Sequence, residues 1–215
     1  MQFRSILAAL LLGSAVLAQP ACAQDAGSDD VILQMRQAFQ RGDKARLTAL
    51  LPAARGHVLE PWAAYWELKA RLQEAGSDEV QAFLARYAGT YQEDRLRNDW
   101  LLLLGQRRQW DEFSALYPAY RMRDDREVQC YAILVDTLAS GQATAAQAET
   151  VRRNWLAQRE LDDGCLTAAD RLIAARLMSP GDAWRKARLA MEANRPGAAR
   201  AAVALADPDA LPAFA

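Results

Sequence analysis

The chain has 215 residues, with 26 basic against 27 acidic side chains, a net charge of −1 and a single histidine. That balance excludes a strongly basic nucleic-acid binder and an acidic solvating tail. With 52% hydrophobic residues, 11 glycines and 8 prolines, the chain can bury a sizeable core. Its commonest residues are good helix formers, and no alternating β-branched run suggests a sheet.

Residues 1–23 read as a secretory signal. Arg4 supplies the positive start, and Ile6 to Ala18 is an apolar stretch too short to cross a bilayer as a mature helix. Ala21-Cys22-Ala23 fits a small-x-small cleavage site, which starts the mature domain, residues 24–215, at Gln24. A lipidated Cys22 is the rival reading, with Gln19 and Pro20 as poor neighbours for it. Cleavage removes only Arg4 among the charged residues, so 25 basic face 27 acidic ones, net −2. The expected location is the periplasm, without stable membrane insertion.

Downstream the pattern is helix after helix. Ser28 is placed to cap a helix with Val31, Met35 and Phe39, closed by Gly42. Asp43 opens a short one with Leu47, Leu50 and Leu51, ending near Pro52. Pro61, at a first helical turn, opens a helix with Trp62, Tyr65, Trp66, Leu68 and Leu72 that is expected to reach Gly76. Ser77 is expected to cap the next, in which Val80, Phe83, Leu84 and Tyr87 form an i, i+3, i+4, i+7 stripe closed by Gly89. Thr90 with Glu93 is a capping box for a helix carrying Leu96, Trp100, Leu103 and Leu104, expected to stop at Gly105. Trp110, Phe113, Leu116 and Tyr117 follow, up to Pro118.

Asp124 to Ala139 reads as a strong helix with Val128, Tyr131, Leu134, Val135 and Leu138. Thr144 and Gln147 form a second capping box before Val151 and Trp155. Thr167 to Met178 is a further helix, Ser179-Pro180-Gly181-Asp182 a stop and restart, and Trp184, Ala187 and Met191 mark the next. Gly197 to Ala206 closes the series. About ten or eleven short helices with short connections predict an all-α, superhelical α-solenoid of antiparallel pairs, tetratricopeptide-like but without a clean repeat. Such stripes cannot be buried by one hairpin alone, and arrays of this kind usually bind or scaffold. The last nine residues, DPDALPAFA, are apolar, Pro-rich and without a capping helix, so the domain is expected to be incomplete at its C-terminal end.

Once Cys22 is cleaved away, Cys130 and Cys165 remain. In an oxidising compartment two such thiols pair, and a disulfide between positions 35 apart is expected, with Cys165 placed in an Asp-Asp-Gly loop. Two buried free thiols are the alternative.

The stretch from Glu60 to Pro118 resembles the N-terminal superhelical region of the soluble lytic murein transglycosylases. It carries Pro-Trp-x-x-Tyr-Trp-x-Leu at Pro61–Leu68, Phe-Leu-x-x-Tyr-x-Gly-Thr at Phe83–Thr90, Arg-Leu-Arg-x-x-Trp-Leu at Arg95–Leu101 and Trp-x-x-Phe-x-x-x-Tyr at Trp110–Tyr117. The resemblance implies a ring- or U-shaped scaffold around peptidoglycan glycan strands. It also implies a C-terminal lysozyme-like domain that cleaves the MurNAc–GlcNAc bond and forms 1,6-anhydro-MurNAc. The family's catalytic glutamate is followed by serine, and this sequence contains no Glu-Ser pair. No catalytic residue is carried over, and the chain alone is expected to be inactive.

Other chemistry finds little support. The adjacent acids Asp78-Glu79, Asp124-Asp125 and Asp162-Asp163 stand at helix starts or in loops, where they complement helix dipoles. His57 has no second histidine for a metal site or triad and is expected to be exposed. No Gly-rich phosphate loop is present, and neither cofactor nor metal is expected. Trp62, Tyr65, Trp66, Trp100, Trp110 and Tyr117 fall mostly at core spacing. Trp62 and Tyr65, near a helix start, are the candidate glycan contacts. Glu67–Arg71 is an i, i+4 pair, and one of Arg95 and Arg97 is expected to be a buried pairing arginine.

Two readings stay open. One is the scaffold of a lytic transglycosylase, joined to a catalytic lysozyme-like domain in cis or supplying its ring in trans. The other is a stand-alone periplasmic helical-repeat protein that binds protein or peptidoglycan without cutting it. The same helices serve both.

Overall fold

The computed structural model describes residues 28–214, which hold eleven α-helices and, among the described residues, no strand. The signal sequence expected over residues 1–23 lies outside the described residues. The helices are α1 (Asp29–Gln40), α2 (Lys44–Leu50), α3 (Glu60–Ala70), α4 (Ser77–Arg86), α5 (Tyr91–Gln106) and α6 (Trp110–Leu116). They continue as α7 (Arg126–Ser140), α8 (Ala145–Ala157), α9 (Asp163–Ala174), α10 (Pro180–Glu192) and α11 (Pro196–Ala206).

The odd-numbered helices pack in sequence, α1 on α3, α3 on α5, α5 on α7, α7 on α9 and α9 on α11. Even-numbered helices lie against their chain neighbours, as α4 does on α5, α8 on α7 and α9, and α10 on α11. Most elements therefore touch partners one or two places away, the quasi-linear packing of a solenoid, and α5 also reaches α9. One continuous core runs from Ala64 to Val203, and a smaller cluster of Ile32, Met35, Ala38, Leu47, Ala54 and Ala63 closes the N-terminal end.

The helix starts follow local chemistry. Thr144 accepts from Gln147 N–H while the Gln147 side chain accepts from Thr144 N–H, and Ser179 and Asp182 make the same reciprocal pair. Thr90 accepts from Glu93 N–H, but Glu93 reaches back to Gly89 N–H rather than to Thr90. Ser77 is not a cap: it lies inside α4, whose N-cap is Gly76, and its hydroxyl donates to Glu112.

Several ends differ from the sequence reading. Helix α5 runs past Gly105 and stops where Arg108 turns left-handed at φ 59°. Arg108 holds that conformation with a forked ion pair to Asp163 and a hydrogen bond to Gly105 O at 3.0 Å. Helix α3 ends at Ala70, before Gly76, because Arg71 leaves the helical path to fork between Glu67 and Glu79. Helix α9 begins at Asp163, four residues before the expected Thr167, with Asp162 as its N-cap. After α11 the chain forms a 3-10 helix, Pro208–Phe214, and Ala210 and Leu211 pack against the main core.

Helix α5 is the central element. Besides Leu96, Trp100, Leu101, Leu103 and Leu104, it buries six polar side chains, and five of them, Glu93, Asp94, Arg97, Asn98 and Asp99, have hydrogen-bond or ion-pair partners. Asp94 accepts from the backbone N–H groups of Arg121 and Met122, which pins the loop before α7. Glu93 pairs with Arg97 and with Arg121, so Arg97 is the buried pairing arginine of the two candidates. Asp99 takes Tyr65 and Lys69, and Asn98 donates to Asp125. A buried carboxylate without such donors would cost several kilocalories per mole.

Candidate functional site

Helix α3 brings the aromatic candidates together. Glu60 anchors its first turn by accepting from Gly56 N–H at 2.7 Å, Tyr87 OH at 2.8 Å and Arg86 at 2.6 Å. Burial pushes the Glu60 carboxyl up, but those three donors outweigh it and hold the group below its ordinary range. Trp62, Tyr65 and Trp66 then follow at i, i+3 and i+4 on the face that meets α1 and α5.

Tyr65 is buried, and its hydroxyl donates to Asp99 Oδ2 at 2.8 Å. Burial, then the Asp99 charge, pushes the phenol above its ordinary range, so it stays neutral. The ring is a floor and not an exposed platform. Trp62 stands edge-on to it with centroids 5.9 Å apart, and is only partly buried. Trp62 also lies 5.9 Å from Trp66 and 5.7 Å from Tyr91, and Trp66 stacks on Phe39 at 6.2 Å. The result is an aromatic ladder, Phe39–Trp66–Trp62–Tyr91, whose last member is 54% exposed. Sequence reasoning missed Tyr91, the first residue of α5. Its only signal is the packing of α3 on α5, which residue spacing within one helix does not contain.

Of the other sequence candidates, Trp100 is core, with Arg107 over its ring at 5.8 Å. Trp110 and Tyr117 are partly buried on the core. His57 is not the exposed residue its loop suggested. Its side chain is 9% exposed, with Nε2 hydrogen-bonded to Asp29 and Nδ1 accepting from Leu59 N–H. The ring ties α1 to the start of α3.

A second cluster surrounds the disulfide. Cys130 in α7 and Cys165 in the first turn of α9 are bonded, with Cα atoms 4.8 Å apart. Asp162 Oδ1 accepts from Cys165 N–H, and Glu127 accepts from Asp163 N–H and Gly164 N–H, so two carboxylates cap the start of α9. Burial raises both above the ordinary carboxylate range, against those backbone donors. Asp163 moves the other way. Burial pushes it up, but Arg108 and then the Tyr131 hydroxyl hold it below its usual value. Lys186, 2% exposed, donates to the carbonyls of Trp155 and Gln158 at the end of α8. Every acid here holds a helix end or an ion pair. The two raised carboxylates each accept from backbone N–H groups at the start of α9, while Asp162 Oδ2 is buried without a hydrogen-bond partner among the described residues. Among the described residues no group of three His, Cys, Asp or Glu side chains can hold a metal ion, and no helix is long and apolar enough to cross a membrane.

The fold defines a class, the two-layered all-helical solenoid, and solved structures share it. The chain is similar to an inactive variant of the lytic transglycosylase Slt of Pseudomonas aeruginosa, with a TM-score of 0.53 and 23% identity over 87% of this chain and 38% of that one. It is similar to the 70 kDa soluble lytic transglycosylase of Escherichia coli, with a TM-score of 0.53 and 18% identity over 86% and 30% of the two chains. A 70 kDa soluble lytic transglycosylase in complex with bulgecin A matches with a TM-score of 0.52 and 19% identity over 84% and 31%. At these identities the likeness is one of fold, and the chain spans about a third of the length of those proteins. Residues 122–182 match the family model described as isopentenyl transferase. That is under a third of the chain, too little to show a family for it. No curated protein sequence matches the chain.

Proposed function

We propose that the chain is the superhelical scaffold region of a soluble lytic peptidoglycan transglycosylase of the periplasm. In this reading, residues 24–215 form one helical domain after a cleaved leader and shape a surface along which glycan strands run. A lysozyme-like domain, in cis or in trans, performs the cleavage. The observation that carries the reading is the fold likeness along 84–87% of the chain to lytic transglycosylases, together with the four sequence pieces between Pro61 and Tyr117.

Glycan contact falls to Trp62 and its exposed neighbour Tyr91, with Tyr65 supporting Trp62 from beneath. Flat, partly exposed rings suit the C–H faces of amino sugars, and the Tyr65–Asp99 hydrogen bond keeps the platform rigid. The test is the binding of purified, uncrosslinked glycan strands to the chain and to its Trp62→Ala and Tyr91→Ala variants. Each substitution should weaken binding by about three- to tenfold, the equivalent of about 0.5–1.5 kcal/mol for a lost stacking contact. Unchanged binding by both variants would remove the aromatic ladder from the account.

A further inference from the structure

A groove lined by none of the residues of the aromatic ladder has the form of a peptide site. It lies between α6, α7 and α8 and encloses about 630 Å³, within the roughly 300–1,000 Å³ typical of small-ligand sites. Its floor is apolar, formed by Ile133 of α7 and the stacked rings of Phe113 and Tyr117, 5.7 Å apart.

The two ends carry opposite charges. At the end next to the start of α7 stands Arg123, whose backbone is left-handed at φ 46°. Its Nε donates to Tyr120 O and its guanidinium lies 5.4 Å over the Tyr117 ring, while among the described residues its Nη atoms have no hydrogen-bond or ion-pair partner. An arginine held in this backbone conformation, with both Nη groups open, offers a fork for a carboxylate. Towards the other end of α7 lies the exposed Asp136. Gln147 donates to its Oδ2, and among the described residues its Oδ1 has no hydrogen-bond donor. The α7 dipole has the same polarity, positive beside Arg123 and negative towards Asp136.

Length narrows the ligand. Gln129, whose side chain donates to Arg123 O, and Asp136 are both on α7 and separated by about 10 Å of helical rise. Arg123 extends the span beyond Gln129. An extended peptide covers about 3.3–3.6 Å per residue, so about four residues bridge the two charges.

We infer that this groove binds a short extended peptide of small apolar residues, with its free C-terminal carboxylate on Arg123 and its ammonium group at Asp136. Ser114 also lines the groove, where its hydroxyl would bond the ligand backbone.

The test uses isotope-labelled full chain titrated with tetra-alanine in three forms, with free termini, C-terminally amidated and N-acetylated. The free peptide should shift amide resonances of α6, α7 and α8. Amidation should weaken binding about tenfold, the scale of one lost charge-assisted hydrogen bond, and N-acetylation should weaken it through Asp136. Arg123→Gln should match the amide's loss with the free peptide and add little further loss with the amide. The ligand series on the unaltered protein keeps the test valid even if the variant misfolds. Equal binding of all three peptides, or shifts outside these helices, would overturn the inference, as would no binding of the free peptide. None of these results bears on the glycan reading, which rests on other residues.

Discussion

Gly105 in α5 lies directly against the ring of Tyr131 in α7. A Cβ built on Gly105 would stand 2.5 Å from the Tyr131 ring carbons, and one on Gly164 of α9 would stand 3.0 Å from the same ring and 2.7 Å from the Glu127 carbonyl. Tyr131 is fully buried, so three successive odd helices meet at one tyrosine placed between two glycines. Its hydroxyl donates to Asp163, which Arg108 also holds.

Gly105→Ala should therefore destabilise the chain although alanine is the better helix former. Overpacking a dense core costs about 1–3 kcal/mol, against a helix-propensity gain of about 1 kcal/mol. Urea unfolding followed by circular dichroism is the check, and a raised midpoint would contradict the close approach.

The disulfide between Cys130 and Cys165 closes a loop of 35 residues across α7, α8 and α9. Replacing both cysteines with alanine should lower stability by about 3–4 kcal/mol in the chain-entropy picture. The same midpoint shift should appear when the wild-type chain is unfolded with reductant. Identical midpoints with and without reductant would show that the sulfurs are not joined in solution.

Glu127 gives a pH signature. Its folded pKa is raised above the ordinary 4.5, mainly by burial, so the folded state binds the proton more tightly than the unfolded chain. The corresponding stability is present below 4.5 and is lost as pH rises through the raised value. Glu127→Gln keeps an oxygen to accept from Asp163 and Gly164 but does not ionise. The variant should gain stability relative to wild type as pH rises above 4.5, and the two should converge in acid. A gap that narrows with rising pH would reverse the sign.

What the sequence disclosed and what it hid separate along physical lines. Apolar spacing and capping pairs are local, and Thr144–Gln147, the Ser179 restart and the Val80–Tyr87 stripe all stand where the residues put them. Three-dimensional approaches are not local. Gly105 reads as a stop because glycine ends many helices, yet here it lets a tyrosine in, while the left-handed stop falls on Arg108 through its pair with Asp163. The same applies to the site. Trp62 was visible at a helix start, but only the packing of α3 on α5 reveals that Tyr65 is buried on Asp99 and that Tyr91 takes its place at the surface. Arg97 could not be told from Arg95 because both flank one turn, and only the neighbouring Glu93 and Asp94 distinguish them.

The central claim is that this solenoid holds glycan and leaves its cleavage to another domain. The most direct measurement incubates the purified chain with intact peptidoglycan sacculi, pellets them, and assays both the bound protein and the soluble fraction for 1,6-anhydro products. The account predicts protein in the pellet, less of it for Trp62→Ala, and no anhydro products. Protein that stays in solution, or a soluble fraction containing anhydro products, would contradict it.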